Sequence, residues 1–351
     1  MKMNISTAEY WRKTLADAVK SSTLPIRIME VCGTHTHTIA RNDLRLLLPH
    51  GVELISGPGC PICVSGVLFI EKIRSLLRKN ITVFVFGDLL RIPGADGLSL
   101  MGEKNLKTVY SPADALTFAM ENPRQEVIFA AVGFAPTLSA AAALMDSLIH
   151  SNIKNFSLLA DFKEILPVLH WLCNSRGLSA LLLPGHVASV VGSRYFAALP
   201  VPGAIAGFTA ENILHSIKLL LDAIAEKKKN FLFNNYPEAV RHEGNLLALE
   251  FIGKFFELTA GTWRGLGTIN NSAWSLKNDY KVFDAAQRYD LTAVTAAENP
   301  ACRCGEVLTG MIKPQECSLF GKACTPENPV GSCMSSSEGS CNAEYIFGGT
   351  I

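Results

Sequence analysis

Charge of one sign is what this chain most lacks. In 351 residues, 32 Lys and Arg stand against 31 Asp and Glu, a net of +1 with both signs mixed along the sequence. That balance excludes a broad basic face for nucleic acid. Long apolar runs are missing too. The stretches at 127–134 and 180–184 stop far short of the roughly 18 residues that a membrane span needs, so no membrane association is expected. No G-x-x-x-x-G-K-[ST] segment occurs, and nothing in the sequence argues for ATP. The opening MKMNISTAEYWRKTLADAV is amphipathic and charged, without the apolar core and cleavage site of a secretion signal. A cytoplasmic protein is expected.

Hydrophobic residues make up 48% of the chain, ample for more than one core, and its length predicts two or three domains. Short β-rich runs at 26–31, 52–56, 81–87, 126–134, 156–160, 180–185 and 204–208 are each followed by a turn signal and then a helical pattern. Helices are expected at 7–20, 67–79, 138–150 and 210–228. This alternation argues for an α/β fold, with parallel sheets covered by helices. The seven strands divide into two similar Rossmann-like lobes. The expected domains are lobe 1 over residues 1–122, lobe 2 over 123–260 with the break near Pro123, and a small Cys-rich domain over 261–351. This last segment is poor in periodic apolar residues and needs a metal staple.

There are ten cysteines, and a reducing compartment rules out explaining them all as structural disulfides. Cys32, Cys60 and Cys63 lie early and Cys173 stands alone. Cys302, Cys304, Cys317, Cys324, Cys333 and Cys341 crowd the tail. The early ones fall where parallel strands end, the usual place for a ligand site. CGTHTH, GPGCPIC, GDLLRIPG and PGHVAS all follow expected strands, which points to a shared cleft, although Gly and Pro alone also turn a chain. The C-x-x-C of GPGCPIC serves equally as a metal clip or as a reversible dithiol. With Cys32, His35 and His37 nearby, it suits an exchangeable iron or redox site better than a closed structural one. His37 and His186 read as ordinary hydrogen-bonding histidines, and Cys173 as a small buried hydrophobe. In the tail, the spacing C-x12-C-x6-C-x16-C through Cys304, Cys317, Cys324 and Cys341, with no histidines, favours an iron-sulfur cluster, with zinc as the alternative. Cys302 and Cys333 are extra thiols.

MEVCGTH, GPGCPIC, FGDLLRIPG, YSPADAL, LPGHV, WRGLG, CGEVLTGMIKPQECSLFGKACTPENP and SSEGSC occur in that order. Together they resemble the HypD family of hydrogenase maturation factors from about Pro25 to the C-terminus. The resemblance implies a scaffold with redox activity rather than an enzyme converting a metabolite. It would transiently carry an iron bearing cyanide and carbon monoxide for [NiFe]-hydrogenase, working with a small HypC-like chaperone and a HypE-like cyanide donor. On the family pattern, Cys32 holds the iron together with a cysteine of the HypC-like partner, His35 in the same motif is a catalytic candidate, and Cys60 and Cys63 form a redox dithiol. A 4Fe-4S cluster sits on Cys304, Cys317, Cys324 and Cys341, with Cys302 the nearest rival for a ligand position. The family pattern GFETT is replaced at Ala135 and GFEP at Thr209, and a histidine is replaced near Phe162. These departures alter proton handling around bound cyanides. Two alternatives stay open: an iron-sulfur thiol-disulfide reductase, and a divergent relative that matures another metal site.

Overall fold

The computed structural model describes residues 4–19 and 22–348. The remaining positions, among them Lys20 and the outermost residues of the expected first and third domains, lie outside the described residues. Eleven strands are described: β1 (Ile26–Glu30), β2 (Val52–Ser56), β3 (Thr82–Phe86), β4 (Leu106–Val109), β5 (Val127–Gly133), β6 (Phe156–Lys163), β7 (Ala180–Pro184), β8 (Gly203–Ala206), β9 (Leu232–Asn235), β10 (Phe256–Trp263) and β11 (Gly267–Leu276). They form two sheets, ordered β2-β1-β7-β8-β9 and β10-β11-β6-β5-β3-β4. The first is parallel throughout. In the second, β4, β3, β5 and β6 are parallel, while β11 and β10 add an antiparallel edge.

The α/β class and the seven expected strands are all present, but the chain is partitioned differently from the expected domains. It leaves the first sheet after β2, builds β3 to β6 in the second, and returns to complete the first with β7 to β9. The expected break at Pro123 therefore falls between β4 and β5 of one sheet. The expected boundary at 260/261 falls inside β10. Strand periodicity reports that a strand exists but not which neighbour it pairs with, and this crossover is a pairing decision. The β10–β11 hairpin escapes a reading of the sequence because its exposed Thr, Asn and Glu positions mask the apolar ones, as befits a sheet edge.

Burial explains the layers. Along β1, Ile26 and Ile28 pack with Trp11, Leu15 and the helix Ala210–Ala225, while Met29 faces the other way into a larger core. Along β7, Ala180 and Leu182 take the first side and Leu181 and Leu183 the second. Successive side chains alternate across a strand, so one sheet feeds two cores. The larger core runs on through β3, β5 and β6 and includes Val307, Leu308 and Met334 from the tail. The tail thus shares the main core rather than depending on a staple alone. Its last helix, Ser340–Phe347, lies against the helix Gly33–Arg41.

Candidate metal and redox site

Adjacent parallel strands deliver the two early cysteine motifs side by side. β1 runs into Cys32, which precedes the helix Gly33–Arg41, and β2 runs into the loop before the short helix Pro61–Val64. The loops are pinned by backbone bonds from Gly57 N to Glu30 O (2.8 Å) and from Gly33 N to Gly59 O (3.3 Å). A β-carbon on Gly59 would lie 2.2 Å from the Cys32 amide nitrogen, so only glycine permits this approach.

Cys60 and Cys63 are joined as a disulfide, their Cα atoms 5.2 Å apart. This is the dithiol alternative of the C-x-x-C motif in its oxidised form. Cys32 is a free, buried thiol. Burial pushes its pKa up to about 12, and the nearby carboxylates of Glu338 and Glu30 add to the rise against the opposing amides of His35 and Thr34. Such a thiol keeps its proton at neutral pH unless a cation takes its place. Glu30 is fully buried beneath it, accepting from Cys32 N (3.3 Å) and from Thr36 Oγ1 (2.6 Å). Burial raises the Glu30 carboxyl to about 7.

His35 and His37 both lie on the helix Gly33–Arg41. His35 points inward and is wholly buried, with Nε2 3.0 Å from Gly207 O and 3.2 Å from Ala206 O. Carbonyls only accept, so Nε2 carries the proton and Nδ1 keeps a lone pair, for which no protein partner exists. Burial lowers the His35 pKa to about 4, so the ring is neutral. His37 instead approaches Ser337 O (3.4 Å) and the Phe347 ring. His186, brought in after β7, stacks on Phe208 at 4.0 Å between ring centres. Its pKa is lowered by burial against an upward pull from Glu338. Asp88, from the turn after β3, is raised by burial and also feels Glu338.

The tail covers this cleft. Thr34 Oγ1 donates to Glu338 Oε1 (2.7 Å), and a β-carbon on Gly33 would sit 2.5 Å from Glu338 Cβ. Cys60 Sγ meets Ser336 Oγ at 3.5 Å, and Ser332 Oγ donates to Cys63 O at 3.4 Å. Behind this cover lies a nest of thiols. Cys304 hydrogen-bonds to Cys333, which hydrogen-bonds in turn to Cys341, and Cys302 and Cys324 act electrostatically on the same group. The Cys341 and Val330 amides donate to Cys333 Sγ (3.3 Å) and Cys324 Sγ (3.4 Å). Cys304 is raised well above an ordinary thiol, chiefly by its bond to Cys333 and then by burial.

Three of the four expected cluster ligands, Cys304, Cys324 and Cys341, therefore share one nest, with Cys302 and Cys333 beside them. Cys317 is half-buried and directly follows the short helix Pro314–Glu316. Among the described residues no three His, Cys, Asp or Glu side chains converge with metal-holding geometry. The nest is a set of hydrogen-bonded thiols, and its all-sulfur donor set fits an iron-sulfur cluster in chemistry. Cys173 is buried on the helix Ile165–Ser175.

Glu30, Ser336, Glu338 and Arg264 belong to this region, and sequence reasoning missed all four. Each lies within one of the motif strings above, yet as a single polar residue beside cysteines it carries no spacing signal. The three departures are also located. Ala135 starts the helix Ala135–His150, Thr209 caps the helix Ala210–Ala225 by accepting from Asn212 N (3.2 Å), and Phe162 is buried edge-on against Phe256.

A free buried thiol, a disulfide and a cysteine nest, carried by a fold of two parallel-dominated sheets, define a thiol-rich α/β protein. Comparison supplies the family: residues 6–348 match the HypD model, described as the hydrogenase formation hypA family, and the chain belongs to it. It is 38% identical to hydrogenase maturation factor HypD2 of Bradyrhizobium diazoefficiens, over 92% of this chain and 90% of that protein. It is 36% identical to HypD of Azotobacter vinelandii, covering 92% and 89%, and 36% identical to HypD of Escherichia coli K12, covering 97% and 94%. Its family role is hydrogenase maturation. Among the described residues no helix is long and apolar enough to cross a membrane.

Proposed function

We propose that the protein is a cytoplasmic scaffold in [NiFe]-hydrogenase maturation. It receives an iron bearing cyanide and carbon monoxide as cargo, held by Cys32 together with one thiolate from a small HypC-like partner. A HypE-like protein supplies the cyanide. The observation that carries this reading is the direct packing of the Cys32 loop on the Cys60–Cys63 loop, both under the cover of Ser336 and Glu338. Cys32 contributes one soft anionic ligand once its proton leaves, and a buried pocket keeps water from competing for a low-spin iron(II). A lone protein thiolate leaves most of the coordination sphere to cargo ligands and to a partner, which is what a carrier requires. Reducing the Cys60–Cys63 disulfide consumes two electrons and two protons and yields two thiols. A 4Fe-4S cluster on Cys304, Cys317, Cys324 and Cys341 supplies single electrons when bound, so two deliveries from an external one-electron donor complete the reduction.

The experiment is anaerobic isolation from the native host, with iron, sulfide and partner content measured alongside infrared spectra. The expected result is brown protein with cyanide and carbonyl stretching bands, and loss of those bands in Cys32→Ala while the brown colour persists. A brown protein without such bands would favour the thiol-disulfide reductase reading. Bleaching by Cys302→Ala but not by Cys304→Ala would reassign the first cluster ligand.

A further inference from the structure

Arg264 belongs to none of the roles above, yet it lies where the cysteine nest meets the disulfide arm. It follows Trp263 in the turn between β10 and β11. Gly265 beside it has φ +79°, and a β-carbon there would come 2.2 Å from Gly305 Cα, so this turn is pressed onto the start of the Cys304–Leu308 helix. The Arg264 side chain is only 9% exposed. Nη1 donates to Ser332 Oγ at 2.5 Å, and Nη2 pairs with Glu298. A β-carbon on Gly331 would lie 2.5 Å from Cys302 Sγ and 3.7 Å from Arg264 Nη2, so sulfur and guanidinium share that small surface. The same residues reach the disulfide arm. Arg264 N donates to Val64 O (2.9 Å), one residue after Cys63, and Glu298 Oε1 accepts from Val67 N (2.7 Å).

We propose that Arg264 is the charge-compensating residue of the cysteine nest, its guanidinium offsetting the negative charge of the sulfurs and so raising the potential at which the nest accepts an electron. The proposal rests on the reading that a 4Fe-4S cluster occupies the nest. A plain structural ion pair with Glu298 is the rival account. The Glu298 side chain is 38% exposed and shares its charge with water and with the Val67 amide, so it does not neutralise the guanidinium fully. A cation held in a low-dielectric site stabilises the more negative of two redox states, and net charge and hydrogen bonds to sulfur are what tune cluster potentials.

The test uses full-length protein reconstituted anaerobically with iron and sulfide, as wild type and as Arg264→Gln, Arg264→Lys and Glu298→Gln. Metal content and reduction potential are measured for each. Arg264→Gln is expected to shift the potential downward at unchanged iron and sulfide content, and Arg264→Lys to restore most of it. Glu298→Gln is expected to shift it upward, because the remaining cation is less neutralised. A loaded Arg264→Gln protein with the wild-type potential overturns the proposal, as does Arg264→Lys shifting as far as Arg264→Gln. If Arg264→Gln does not fold, Glu298→Gln decides, and the absence of an upward shift refutes it. Wild-type protein that takes up no iron and sulfide overturns the cluster reading itself and this proposal with it, an outcome distinct from an unchanged potential in a loaded variant.

Discussion

Glu164→Gln isolates the effect of one buried carboxyl on stability. Glu164 follows β6 and lies at an apolar cavity of about 560 Å³ lined by Ala135, Leu138, Leu166, Ile252 and Trp274. Its oxygens accept from Leu166 N (3.3 Å) and Trp274 Nε1 (3.0 Å), but burial outweighs these bonds and raises its pKa from 4.5 to about 7. Between those values the folded protein binds more protons than the unfolded chain does, so stability falls as pH rises from 4.5, and the loss is complete above about 7. At about 1.4 kcal/mol per pKa unit, the charged carboxylate costs the folded state about 3 kcal/mol at pH 8. Glutamine cannot ionise. It keeps one carbonyl oxygen for one donor and turns its amide toward the other, a penalty of about 1–3 kcal/mol that is equal at every pH. The assay is denaturant unfolding of wild type and variant at pH 5 and pH 8. Other titrating groups, neutral His35 among them, cancel in the difference between the two proteins. The free-energy gap should move by about 2–3 kcal/mol in favour of the glutamine variant between the two pH values. Parallel pH profiles would refute the argument that desolvation governs this carboxyl.

Two further outcomes follow from the cleft. Gly59→Ala places a β-carbon against the Cys32 backbone, so it should destabilise the protein by about 1–3 kcal/mol and speed alkylation of Cys32, measured by thermal unfolding and mass spectrometry. Mild reduction should add two reactive thiols that peptide mapping assigns to Cys60 and Cys63, and the same number of labelled thiols before and after reduction would contradict a reversible disulfide.

Local pattern determined seven of the eleven described strands and the longer helices. Apolar β-branched runs ending in Gly or Pro fixed seven strands, and helical periodicity set the helices to within a few residues of their ends. Cysteine spacing marked both thiol regions, because a sulfur site needs particular residues at particular intervals wherever the chain then goes. Tertiary structure decided how those pieces combine. The chain crosses from one sheet to the other and back, which local periodicity does not encode, since any two strands of suitable pattern can pair. The β10–β11 edge hides among polar residues because water satisfies its outer face. Tertiary packing placed Glu338 on Gly33, Ser336 on Cys60 and Arg264 beside Cys302, contacts between residues as much as about 300 positions apart. Spacing names the candidate ligands, but only a packed core decides which sulfurs face one another and which protonation state burial imposes on them.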